Sequence, residues 1–61
     1  MTQDRELAWA TAWRMIRQYG GSAAAVAERR AETLEREGSY EGRHLWLSIA
    51  EAIRDVQSRR S

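Results

Sequence analysis

The stretch Gly38-Ser39-Tyr40-Glu41-Gly42-Arg43-His44-Leu45-Trp46 decides how this chain folds. A glycine followed by a serine is the local chemistry of one helix ending and another beginning. Glycine takes the left-handed C′ position at no steric cost, and serine is a favoured N-cap. From Tyr40 onward, apolar residues recur at helical spacing: Gly42, Leu45, Trp46, Ile49, Ala50, Ala52, Ile53 and Val56 cover an arc of about 160° on a helical wheel. This predicts a helix over residues 40–57, with Trp46 turned toward the centre of the domain and residues 58–61 as a frayed tail. Gly42 lies inside the apolar arc, where the missing side chain favours close approach of Trp46 or a neighbouring helix. Two glycines at a helix start are also the chemistry of an anion loop, but their spacing assigns them to a corner between helices.

Upstream of the corner, Ser22 is placed to cap a second helix over residues 23–37, with Gly38 as its C′ residue. Its inward face holds Ala23, Ala24, Val26, Ala27, Arg30, Ala31 and Leu34, mostly alanines. Glu28, Arg29, Glu32, Glu35 and Arg36 form a charged opposite face, read as solvated, with Glu32 and Arg36 at the favourable i,i+4 spacing. The first helix is expected over residues 3–19, capped by Thr2 or Asp4 and ended by Gly20-Gly21. Ala8, Trp9, Ala12, Trp13, Met15, Ile16 and Tyr19 fall within an arc of about 160°, interrupted only by Arg5. The expected fold is therefore all-α: a compact domain of three helices joined by tight Gly/Ser turns. Connections of about two residues demand antiparallel or sharply crossed neighbours.

The expected core is Trp9, Trp13, Ile16, Val26, Arg30, Leu34, Leu45, Trp46, Ile49 and Ile53, with the indoles filling the space that the alanines leave. Each buried indole N–H needs a partner, so at least one tryptophan is expected partly at the surface. Arg30 falls between Val26 and Ala23 on the apolar arc, where a charge is costly unless paired. Its structural reading is a stem packed on a tryptophan, with the guanidinium meeting a carboxylate or a helix-terminal carbonyl; its functional reading is an anchor for phosphate or carboxylate. Leu7 and Leu47 lie off the apolar arcs and form a candidate self-association patch if they share a side of the domain.

Sixty-one residues suffice for one domain, 1–61, and a chain of this size buries only about 60% of its unfolded surface. There is no Cys to form a disulfide or a thiolate zinc site. Helix packing or self-association must therefore supply stability. The longest apolar run, Ala23 to Ala27, falls far short of the roughly 20 residues needed to span a bilayer, and no secretory leader pattern is present, so a cytoplasmic location is expected. Ten basic and nine acidic residues leave a net charge of +1, which gives no general attraction to nucleic acid or anionic membrane. All the basic residues are arginine. That use suits bidentate contacts, and it equally fits the codon bias of a GC-rich genome, given the abundant alanine.

Catalysis is not expected, and no cofactor or metal is called for. His44 is the only histidine, with Glu41 and Glu51 as helical neighbours and no second His or Cys to converge with it. Glu51 and Asp55, four apart, are a common surface pair. The main competitor to a protein-binding role is helix-turn-helix-like binding of DNA or RNA by the third helix. A long second helix, the mixture of Arg43 and Arg54 with Glu51 and Asp55, and near-neutral charge all oppose it, with Arg59 and Arg60 the only further phosphate contacts in view.

The run Gly38-Ser39-Tyr40-Glu41-Gly42, followed by Trp46, Ile49 and Ala50, resembles the pattern G-D-x-x-G-x-x-x-W-x-x-I-A of a family of short uncharacterised alphaproteobacterial proteins. Asp4, Glu6, Leu7, Ala12, Gly20, Arg30 and Leu34 extend the resemblance over most of the chain. Ser39 stands where the pattern has Asp, and one extra residue lies between Gly20 and Arg30. Ser39 keeps the capping role. The resemblance implies a compact helical fold and no particular activity. The expected function is a small interaction or self-association module, a homodimer or the binder of an unidentified protein.

Overall fold

The computed structural model describes residues 3–60, and side chains for residues 6–59. Helix α1 spans Gln3–Tyr19, a 3-10 turn spans Gly20–Ser22, α2 spans Ala23–Arg36 and α3 spans Tyr40–Arg60. Every residue from 3 to 36 lies in α or 3-10 structure. This corrects the expected three-helix bundle with two tight turns. The chain forms two helical segments, 3–36 and 40–60, broken only at Glu37–Ser39, and the first segment bends at Gly20. Thr2 and the side chain of Asp4, read as caps, lie outside the described residues.

The bend has a backbone cause. Gly20 takes φ +57°, a left-handed conformation that ends α1, but the chain resumes helical hydrogen bonding within one turn. The Ala23 N–H donates to the Gly20 carbonyl, and Ser22, at φ −90° and ψ −1°, makes no side-chain cap bond. The expectation that Ser22 caps α2 is thus corrected. A capping side chain needs its residue in an extended conformation, and Ser22 is already helical.

The second corner is a Schellman motif. Gly38, at φ +83°, donates its N–H to the Glu35 carbonyl at 3.0 Å, and Ser39 donates to the Leu34 carbonyl at 2.8 Å. The Ser39 carbonyl in turn accepts from the Arg43 N–H at 3.0 Å and opens α3. Leu34 also explains Gly42: a Cβ there would lie 3.0 Å from Leu34 Cδ1 and 2.9 Å from Ser39 Oγ. The close approach is to α2, not to Trp46. Residues 58–60, expected to fray, continue α3, and Asp55 and Arg59 pair at 3.5 Å across its last turn.

Packing is uneven. Most contacts join α2 to α3, fewer join α1 to α3, and α1 and α2 touch least. The dimensions, 35 × 28 × 16 Å, depart from the near-equal cross-section of helices packed side by side at 8–10 Å. Two polar links cross from α2 to α3: Glu28 with Arg54, and Glu35 with Arg43 at 3.4 Å. Their order, 28 with 54 and 35 with 43, fixes an antiparallel pairing. Near the bend the Gln57 amide donates to the Gly20 carbonyl at 3.0 Å, so the C-terminal ends of α1 and α3 lie together.

The core is built mainly of alanine. Ala8, Ala12 and Met15 of α1 meet Ala23 and Ala27 of α2 and Ile49, Ala50, Ala52 and Ile53 of α3 in one cluster. Ile53 is the one large side chain fully excluded from solvent among the described residues. Small side chains allow the backbones to approach closely, so little space is left at the centre for indole rings.

Candidate interaction surface

The tryptophans occupy the margin of this core. Trp9 and Trp46 are partly buried and packed against it, whereas Trp13 is 44% exposed. The expected central packing of three indoles against α2 is corrected accordingly. Ile16 and Val26 are also partly buried against the cluster, Leu34 is half-buried beside Gly42, and Ile49 and Ile53 are fully buried. Leu45, near one edge of the apolar arc, is 36% exposed and lines the groove between α1 and α3.

Arg30 is exposed, so its placement in the core is corrected as well. Its guanidinium carbon lies 4.9 Å from the centroid of Trp46, a cation–π geometry that covers the outer face of a half-buried indole. The structural reading puts the stem on a tryptophan, whereas it is the guanidinium itself that lies over the Trp46 ring. The carboxylate half of that reading does not match either, because the ion pairs among the described residues are Glu28–Arg54, Glu35–Arg43 and Asp55–Arg59. Glu28 and Glu35, read as part of a solvated face, lie along the edge of α2 that flanks α3.

An open groove of about 1020 Å³ runs between α1 and α3. Ala8, Trp9, Leu45 and Ala52 supply its apolar surface, and Glu41, His44, Ser48, Glu51 and Asp55 its polar side. The α3 members follow one helical stripe at steps of three and four residues, about 21 Å long at 1.5 Å per residue. No arginine among the described residues lines it. Asp55 pairs with Arg59, while Glu41 and Glu51 make no ion pair with other described residues. A smaller groove of about 330 Å³ between α2 and α3 holds Ala31, Leu47, Arg43, Glu28, Glu32 and Glu35.

Leu7 is 58% exposed on α1 and Leu47 is half-buried in the α2–α3 groove, so the two leucines line no common groove. Tyr40, 68% exposed at the start of α3, is a surface aromatic that the sequence reading passed over. It likewise missed the groove stripe as a unit, although the i, i+3, i+7 spacing of Glu41, His44, Ser48, Glu51 and Asp55 carried the signal.

His44 is exposed on the groove, and no group of three or more His, Cys, Asp or Glu side chains among the described residues is arranged to hold a metal ion. No buried side-chain polar atom among them is left without a hydrogen-bond partner. Arg43 and Arg54, the outward arginines of α3 that a major-groove reader would use, are engaged by Glu35 and Glu28. No helix among the described residues is long and apolar enough to cross a membrane.

The chain matches no family model, no curated protein and no solved structure. Its resemblance to the short alphaproteobacterial family therefore rests on the motif residues around Gly38 and Trp46.

Proposed function

We propose that this chain is a small protein–protein interaction module that self-associates, with a homodimer as its simplest assembly, and that it carries out no reaction of its own. A cytoplasmic location and kinship with the short alphaproteobacterial family belong to the same proposal. The observation that carries it is the surface left exposed. Leu45 is 36% exposed in the lining of an open groove, and Trp13, one turn along α1 from the groove-lining Trp9, is 44% exposed, in a chain whose buried core is mostly alanine. Large apolar groups grouped around a concavity are the usual mark of a contact surface.

The engagement of Arg43 and Arg54 by carboxylates favours this reading over nucleic-acid binding. Sedimentation equilibrium across the micromolar range is the test. A concentration-dependent species heavier than 7.1 kDa is expected, and a 7.1 kDa species at every concentration would refute self-association.

A further inference from the structure

We propose that a second copy of this chain closes the groove between α1 and α3, through a two-fold contact in which the exposed face of each α1 lies over the α3 stripe of its partner. The proposal rests on the self-association reading and names the surface responsible for it. It follows from charge and apolar character divided between the two sides of a single patch. On α3, the apolar part of the stripe is Leu45 and Ala52, flanked by Glu41 and Glu51, which make no ion pair among the described residues. On α1, the outward face carries Trp13 and Leu7 together with Arg14, Arg17 and one carboxylate, Glu6, all exposed and likewise without an ion pair among the described residues, which leaves the face net cationic.

Trp9 lines the groove and Trp13 lies one turn further along the same helix, so the donor face and the acceptor stripe adjoin. A two-fold contact requires a self-complementary patch of this kind, in which each subunit offers both halves. Cationic α1 against anionic α3 also gives the contact a preferred orientation. The α2–α3 groove offers no such pairing. It is about a third of the volume, its Arg43 is tied to Glu35 within the chain, and its one large apolar side chain, Leu47, is already half-buried.

The test is charge exchange in the full chain, followed by sedimentation equilibrium, with circular dichroism to verify the helices. Glu51→Arg and Arg17→Glu each alter an exposed side chain, and each change occurs twice in a two-fold dimer. Each is expected to weaken dimerisation about tenfold or more. The double variant, in which exchanged charges meet across the two-fold, is expected to recover most of the wild-type affinity. Leu45→Gln, which keeps the helix and removes the apolar floor, is expected to weaken the dimer as well, and it provides a readout should a charge variant fail to fold.

A wild-type dimer insensitive to the charge and Leu45 substitutions would overturn the groove as the interface and leave self-association standing. Weakened single variants without recovery in the double would overturn the facing of α1 by the α3 stripe. A wild-type chain that stays monomeric while a basic helical peptide binds the groove would overturn both the second copy as occupant and the self-association reading.

Discussion

The two sides of α3 are packed by different means. Toward α2, a three-residue connection closes in a Schellman turn, Leu34 fills the space above Gly42, two ion pairs span the helices and Arg30 covers the outer face of Trp46. Toward α1, a hydrogen bond from Gln57 reaches Gly20, while Ala8, Ala12 and Met15 pack in the shared cluster, and an open groove with Leu45 exposed in its lining lies between the helices. Both sides draw on the same alanine-rich cluster, so the difference does not come from the amount of apolar sequence available. It lies in the polar links. The α2–α3 pair is tied by its loop at one end and by the Glu28–Arg54 pair toward the other, whereas on the α1 side the Gln57–Gly20 hydrogen bond lies where the chain bends and Ala8, Ala12 and Met15 make the apolar contact. The α2 side carries the ion pairs that join helices, and the α1 side carries the groove on which the proposed contact rests.

The largest expected effect removes what both sides share. Ile53 is fully buried in the cluster that joins all three helices. Ile53→Ala should cost about 2–5 kcal/mol. A domain of 61 residues has about 3–9 kcal/mol in total. Circular dichroism of the variant at 25 °C should show substantially lost helicity, and a melt within a few degrees of wild type would mean that the cluster is not the common support of the two sides.

A smaller effect isolates the α2 side. Arg30 lies 4.9 Å from the ring centroid of Trp46 and is itself exposed, so Arg30→Ala should cost about 0.5–1 kcal/mol. For a domain of this size that corresponds to a fall of about 2–8 °C in melting temperature. Arg30→Lys should recover only part of it, since the ammonium lacks the planar stack. Because the contact belongs to α2 and α3, sedimentation of Arg30→Ala should be unchanged; a loss of dimer would attach Arg30 to the contact surface.

The same contrast marks how far the sequence could be read. Gly20 and Gly38 were legible as left-handed positions, because a glycine after a periodic run has few other uses, and Ile49 and Ile53 were legible as core. The continuity of 3–36 was not. Gly20-Gly21-Ser22 reads as stop, stop, start, whereas the backbone passes through the left-handed Gly20 and resumes helical bonding at once. An indole partly at the surface was expected from its N–H, but which one, and the exposure of Leu45, was not legible, since a helical wheel gives the direction a side chain faces but not whether a neighbour stands there. Arg30 and the pairs Glu28–Arg54 and Glu35–Arg43 share one cause: long side chains reach around the edge of a helix, so their wheel angle misplaces their ends.

The smallest expected effect concerns one of those pairs and asks what it contributes to the tighter side. Glu28 and Arg54 are both more than a third exposed, at 40% and 58%, so their attraction is weakened by water and by salt. A double-mutant cycle with Glu28→Gln and Arg54→Gln should give a coupling of about 0.2–1 kcal/mol at low ionic strength and less in concentrated salt. A larger coupling that salt does not reduce would make the pair a principal clamp. The small value would assign it a different role. With Glu35 and Arg43 it lets only the antiparallel order of α2 and α3 place opposite charges together, so the pairs select a register whose stability comes from Ile53 and its alanine neighbours.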